Sequence, residues 1–247
     1  VFPIMLTISA VKNAAGFVQH YVSLCTDITT MKAYQGQLEH IAYYDVLTNL
    51  PNRVLLAERL SQAMAQCRRR NLSLAVVFMD LDGFKEVNDN YGHNVGDELL
   101  INVSQRMKAA LREGDTLARI GGDEFIAVMV DLDNIEESTP ILERLLQAAS
   151  DPVTIGNDVM QVSASIGVTL YPQDGAGSDA DQLIRHADQA MYGAKQAGKN
   201  RYRLFDTALA NASKVQLESI SDIRSALCSG EFILFYQPKV NMRTGAV

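Results

Sequence analysis

A nearly unbroken apolar run, Leu72 to Met79, stops on the triplet Asp80-Leu81-Asp82. Such a run, partly β-branched and without polar alternation, is the pattern of a strand covered on both faces. A strand of that kind needs helices above and below it, and the neighbouring sequence supplies them. Asn52 can cap a helix whose Leu56, Leu60, Met64 and Cys67 line one face. Val95 to Leu111 is predicted helical, with Leu99, Leu100, Val103, Met107 and Leu111 inward. Strands are expected at Thr116 to Ile120 and Phe125 to Val130 around Gly121-Gly122, and at Gln161 to Leu170. Helices are expected at Ile135 to Ala149 and Asp179 to Ala197. The order predicts one α/β domain over 45–206, a sheet covered by helices.

The flanks are organised differently. Ile4 to Lys12 and Phe17 to Asp27 read as two strands joined by a turn at Asn13 to Gly16. From Thr30 a helix carries Met31, Tyr34, Leu38 and Ile41 at spacings of 3, 4 and 3. That stripe suits a two-helix seam, or equally a helix lying on its own domain. After Phe205 a further helix, Thr207 to Ser229, and a strand, Glu231 to Val240, are expected. The first residue is Val and the last ones are strand-like, so the chain reads as part of a longer protein.

Composition narrows the function. A formal net charge of -7 disfavours general nucleic-acid binding, which needs a basic face. A polyanion could still be held by a metal ion and a few local cations. No run has the length of a membrane span, and no signal peptide is evident. Cys25, Cys67 and Cys228 lack metal or disulfide spacing and read as free thiols, which points to the cytoplasm.

Candidate chemistry sits in four places. Asp80 and Asp82 at a strand end are hard oxygen donors of the kind Mg²⁺ takes, or simple caps of the next helix. Gly121-Gly122-Asp123-Glu124-Phe125 puts two acids at the tip of a tight turn, which could equally be an ordinary hairpin. Asn88 and Asp97 carry groups matching the hydrogen-bonding edge of a purine, and a carboxylate there would prefer guanine; both residue types also cap turns. Lys195 and Lys199, four apart at a predicted helix end, could grip an anion or answer the helix dipole. His93, beside Gly92, receives no chemical role.

Five ordered blocks resemble the GGDEF family of diguanylate cyclases: DVLTNLPNR from Asp45, MDLDGFKEVNDNYGHNVGDELL from Met79, RIGGDEF from Arg119, SIGV from Ser165 and ADQAMYGAKQAGKN from Ala187. The resemblance implies a central, mostly antiparallel sheet flanked by helices, with a helical linker on each side. It implies synthesis of cyclic di-GMP from two GTP. Asp80, the Leu81 carbonyl and Asp123 would hold two Mg²⁺ or Mn²⁺ ions. Asn88 and Asp97 would read guanine; Lys85, Lys195, Lys199 and the main chain at Phe84 would hold phosphates. Glu124 would assist deprotonation of the attacking hydroxyl, and Arg119 with Asp45 would position the signature turn. One motif set binds one GTP, so a homodimer is expected. Arg112 and Asp115 form the RxxD of a product-inhibition site, whose structural alternative is a short salt bridge closing a helix. Residues 1–29 resemble the end of a PAS-like sensor ending in Asp27-Ile28-Thr29, and 30–44 a signalling helix. Residues 207–247, through Ile223 to Val247, resemble the start of an EAL phosphodiesterase domain that stops before its namesake acids. The chain is therefore expected not to hydrolyse cyclic di-GMP. The rival reading is a non-catalytic module that binds GTP or cyclic di-GMP and regulates an EAL domain.

Overall fold

A computed structural model describes residues 2–14, 16–173 and 179–206. The apolar run becomes β3, Ser73–Asp82, the middle of a five-stranded sheet. Around it lie β4 (Thr116–Gly121), β5 (Glu124–Leu132), β8 (Ser163–Tyr171) and β9 (Arg201–Leu204), in the order β4-β5-β3-β8-β9. The pairings of β3 with β5, β3 with β8 and β4 with β5 are antiparallel; only β8 with β9 is parallel. The mostly antiparallel sheet is as expected.

Period-two alternation along β3 feeds two cores. Ala75, Val77, Met79 and Leu81 pack with Leu99, Leu100, Val103 and Met107 of α4 (His93–Ala110) and with Ile141, Leu142 and Leu145 of α5 (Thr139–Ser150). Leu74, Val76 and Phe78 face the other way, onto Leu56, Leu60, Met64 and Cys67 of α2 (Arg53–Arg70) and Leu183, Ala187 and Met191 of α6 (Ala180–Gln196). Each large aliphatic side chain so buried contributes about 1.5–3 kcal/mol. Asn52 caps α2 as predicted, accepting from the N–H of Val54 at 2.9 Å and of Leu55 at 3.2 Å. Asp179 does the same for α6 through Gln182.

Several elements differ from expectation. Residues 84–91 form α3, Phe84–Tyr91, a short helix between Gly83 and Gly92 whose Phe84 and Val87 are buried one turn apart. The sequence assigns no element to this stretch, because eight residues between two glycines carry too little periodicity. The single helix predicted over Ile135–Ala149 is a 3₁₀ turn, Ile135–Ser138, followed by α5. Pro140 sits in the first turn of α5, where its missing N–H costs nothing. A small hairpin, β6 (Val153–Ile155) with β7 (Asp158–Met160), precedes β8. β9 has four residues, two of them arginine, and carries no strand-like pattern.

Upstream, β1 (Ile4–Lys12) and β2 (Val18–Asp27) pair as the expected hairpin, and α1 spans Thr29–Tyr43. Met31, Tyr34, Leu38 and Ile41 are 56–69% exposed, so that stripe does not lie on the chain's own domain among the described residues. The helix and strand predicted beyond Thr207 lie outside the described residues. No helix among the described residues is long and apolar enough to cross a membrane.

One contact sets the position of α6. A Cβ at Gly167 on β8 would lie 1.9 Å from the Ala187 carbonyl oxygen and 2.1 Å from the Met191 nitrogen. Both are backbone atoms, so neither can swing aside. Gly167→Ala is therefore expected to destabilise the fold by about 3 kcal/mol, at the upper end of overpacking costs. The melting temperature should drop by about 10 °C in calorimetry; an unchanged melting temperature would show that α6 can lift off the sheet freely.

Candidate functional site at the end of the central strand

Asp80 and Asp82 share one face of β3 because strand side chains alternate. Asp80 lies directly opposite Glu124 on β5 and Ser165 on β8. The signature turn folds back onto this strand end: the Leu81 N–H donates to the Asp123 carbonyl at 3.2 Å. Gly122 is left-handed at φ 52, a conformation that suits glycine and lets the chain reverse between β4 and β5.

Arg119 braces the turn from behind. Its Nε and Nη2 donate to the Gly122 carbonyl at 3.0 and 2.8 Å, while Nη1 meets Asp45 Oδ1 at 2.9 Å. Asp45 also accepts from the Thr48 N–H at 2.8 Å and the Thr48 hydroxyl at 2.6 Å. Burial pushes the Asp45 carboxyl up, but the Thr48 hydrogen bonds and the Arg119 guanidinium outweigh it and hold the group below the usual carboxylate range. The turn is thus tied to the segment Asp45 to Pro51, whose Pro51 carbonyl also accepts from the Arg119 N–H at 3.0 Å.

The two strand-end acids have separate fates. Asp82 is only 9% exposed and accepts from Ser163 Oγ and Ser165 Oγ, both at 2.8 Å, and from the Asn200 N–H at 3.3 Å. It fastens β3, β8 and the chain after α6 together. Neither acid caps α3, whose N-cap is Gly83 without any side-chain bond. Asp80 instead meets the Lys195 ammonium of α6 at 2.7 Å. Burial raises the Asp80 pKa; the Lys195 bond pulls against this, while the charges of Asp123 and Asp82 add to it. Glu124 is likewise raised by burial, then by Asp80, Asp123 and Asp188, with Arg53 opposing. Carboxylates therefore crowd this strand end in excess of the cations beside them.

Asn88 on α3 and Asp97 on α4 come from consecutive helices. A Cβ at Gly96 would fall 2.0 Å from Asn88 Oδ1, so Asn88 packs directly against the residue preceding Asp97. Asn88 Oδ1 is buried and has no hydrogen-bond partner among the described residues. Phe84 is buried at the start of α3 and Lys85 is exposed beside it.

One expectation needs correction. Lys195 and Lys199 do not share a helix face, because α6 ends at Gln196. Lys199 lies beyond it in a left-handed conformation, φ 60, with its N–H on the Ala194 carbonyl at 3.2 Å. Arg112 and Asp115 do not form the side-chain salt bridge of the alternative reading among the described residues. Asp115 accepts from the Arg112 N–H at 3.0 Å and the Val130 N–H at 3.1 Å, which ties the turn to β5 and leaves the Arg112 side chain exposed. Both residues line a cavity of about 350 Å³ with Tyr44, Pro51, Arg59 and Lys108.

Arg53, Asp188 and Ser165 join the site's surroundings; all three lie in the matching sequence blocks, which assign them no role. Among the described residues no group of three or more His, Cys, Asp or Glu side chains is arranged to enclose a metal. The expected donor set never had three, comprising two carboxylates and one main-chain carbonyl.

A family model described as "Diguanylate cyclase, GGDEF domain" matches residues 42–201. The bifunctional diguanylate cyclase/cyclic di-GMP phosphodiesterase MucR of Pseudomonas aeruginosa is 43% identical over 212 residues, 86% of this chain and 30% of that protein. The chain thus spans under a third of this relative's length. The solved GGDEF domain of TpbB (YfiN) from Pseudomonas aeruginosa superposes with a TM-score of 0.65 at 34% identity, covering 70% of this chain and 99% of that one. The GGDEF domain of DgcB from Caulobacter crescentus, solved in complex with c-di-GMP, gives a TM-score of 0.59 at 26% identity over 66% of this chain and 95% of that one. With its signature residues on the turn between β4 and β5 and its matched segment filling most of the chain, the protein belongs to the GGDEF family.

Proposed function

We propose that this chain is a diguanylate cyclase that condenses two GTP into cyclic di-GMP and two pyrophosphates. The observation that carries the reading is the meeting of Asp80, Asp123 and Glu124 at one strand end, with Lys195 reaching in from α6. Relatives named as diguanylate cyclases, MucR and TpbB among them, support it.

The donor chemistry fits a divalent ion. The site presents hard oxygens, burial and then the neighbouring carboxylates push Asp80 and Glu124 toward protonation, and a cation would relieve that repulsion. Mg²⁺ commonly takes one or two carboxylates and leaves its other positions to phosphate and water. Asp80, Asp123 and the Leu81 carbonyl would hold two Mg²⁺ or Mn²⁺ ions. Such ions, when bound, neutralise charge on the leaving pyrophosphate and acidify the attacking hydroxyl.

The chain's own residues do the rest. Asn88 and Asp97 hold the guanine edge; an unpartnered buried amide oxygen is a costly group that a donor on the base would satisfy. Lys85, Lys195 and Lys199 hold phosphate oxygens, joined by main-chain N–H groups at Phe84, the start of α3. Glu124 accepts the proton from the 3′-hydroxyl, and its raised pKa brings it closer to working pH. Each 3′-oxygen attacks the α-phosphorus of the other nucleotide and pyrophosphate leaves. One chain has one such site, so two copies must face each other, at least transiently. Residues 45–206 form the cyclase domain, 1–29 the end of a PAS-like sensor, 30–44 the helix that pairs the copies, and 207–247 the start of an EAL domain. GTP as substrate makes the cytoplasm the place of action.

Arg112 is the hand of a product-inhibition site, and Asp115 shapes the turn that presents it. The exposed guanidinium and the adjoining cavity support this division of labour.

With GTP and Mg²⁺ supplied, cyclic di-GMP and pyrophosphate should appear at a rate rising faster than linearly with protein concentration. Asp123→Ala should lower turnover by at least about 100-fold, as loss of a charge-stabilising group does. Binding of GTP without turnover would favour the regulatory-module reading instead. Arg112→Ala should abolish inhibition by added cyclic di-GMP and leave the initial rate nearly intact; inhibition unchanged would reduce the RxxD to a turn closure.

A further inference from the structure

Asp80 has a single ion-pair partner among the described residues, the Lys195 ammonium at 2.7 Å. The neighbouring acid draws on other partners, since Asp82 accepts from Ser163, Ser165 and Asn200. Asp80 is left partly buried, with the charges of Asp82 and Asp123 beside it and one lysine to balance them. Lys195 comes from the last turn of α6, whose backbone is pressed against β8 at Gly167. Its side chain is 31% exposed. The ammonium can therefore swing away by rotamer changes while its helix stays where it is.

An ammonium 2.7 Å from a carboxylate oxygen takes up an acceptor site of the group that would hold a divalent cation. Two cations on one oxygen repel strongly at such range, all the more away from bulk water. A triphosphate carries more negative charge than one carboxylate and can accept the lysine's N–H donors.

We propose that Lys195 is a displaceable counter-ion: it occupies Asp80 in the nucleotide-free protein and passes to the phosphates of an arriving nucleoside triphosphate, so that metal and nucleotide load together. This rests on the reading of Asp80 and Asp123 as the metal pair. Divalent metal alone is held poorly, and the empty site stays closed to it. Lys199 forms no ion pair with Asp80 among the described residues and takes no part in this exchange.

The test is a titration with Mn²⁺ alone, followed by the electron paramagnetic resonance signal of the free ion. It compares the wild type with Lys195→Met, Lys195→Gln, Lys195→Arg and Lys199→Met. The two neutral variants at 195 should bind Mn²⁺ at least about tenfold more tightly than the wild type, since an adjacent positive charge is gone. Lys195→Arg, which keeps the charge on Asp80, and Lys199→Met should stay near the wild-type value. Adding Asp80→Asn to Lys195→Met should erase the gain. The unreactive α,β-methylene analogue of GTP should raise Mn²⁺ affinity by a larger factor in the wild type than in Lys195→Met. If the wild type takes up Mn²⁺ alone as tightly as the neutral variants, the counter-ion role is wrong and the cyclase reading stands. If no protein binds Mn²⁺ with or without the analogue, the metal reading itself fails and this inference falls with it.

Discussion

The backbone contact between β8 and α6 at Gly167 governs how the site is assembled. Without a side chain there, the helix lies directly on the sheet, its Ala187 carbonyl and Met191 nitrogen within bonding range of where a Cβ would stand. Met191 is one turn before Lys195, and Gly167 pairs across the sheet with Phe78, two residues before Asp80. A helix held one side-chain layer further out could not bring that lysine to the strand end. The same helix closes with a turn whose Asn200 N–H donates to Asp82, so both ends of the arrangement are pinned to β3.

The two acids at the strand end differ in their partners, and hydrogen bonding makes the difference. Asp82 accepts three bonds from two serines and a backbone N–H, which satisfies the oxygens of a nearly buried side chain. Asp80 has a lone lysine and repulsive neighbours, which makes it the acid available for exchange. Opposite it, the signature turn is kept in place from its rear by Arg119, which reads the Gly122 carbonyl with two donors and passes the constraint to Asp45. Asp45 lies two residues past the end of α1, so the brace reaches back to the C-terminus of that helix.

Much of this was legible before any coordinates. The run from Leu72 to Met79 announced a two-sided strand, and the spacing of Leu56, Leu60, Met64 and Cys67 announced the helix face that covers it. Asn52 was recognisable as a cap because its side chain has one favourable use at that position. What the pattern could not reveal were elements too short to carry a period: α3, the β6–β7 hairpin and β9. Long-range relations were equally hidden. Nothing local distinguishes Asp82, which is structural, from Asp80, because the difference lies in Ser163, Ser165 and Asn200 far along the chain. The supposed lysine pair failed for a related reason, since the helix ends before Lys199 and Gly198, at φ 113, turns the chain away.

The account stands on strand-end carboxylates that gather a metal-bound triphosphate. A crystal structure with Mn²⁺ and the α,β-methylene analogue of GTP tests it most directly. Anomalous scattering from manganese should appear against the carboxylates of Asp80 and Asp123, with the guanine beside Asn88 and Asp97. Nucleotide bound with manganese on other residues, or with the base elsewhere, would contradict it.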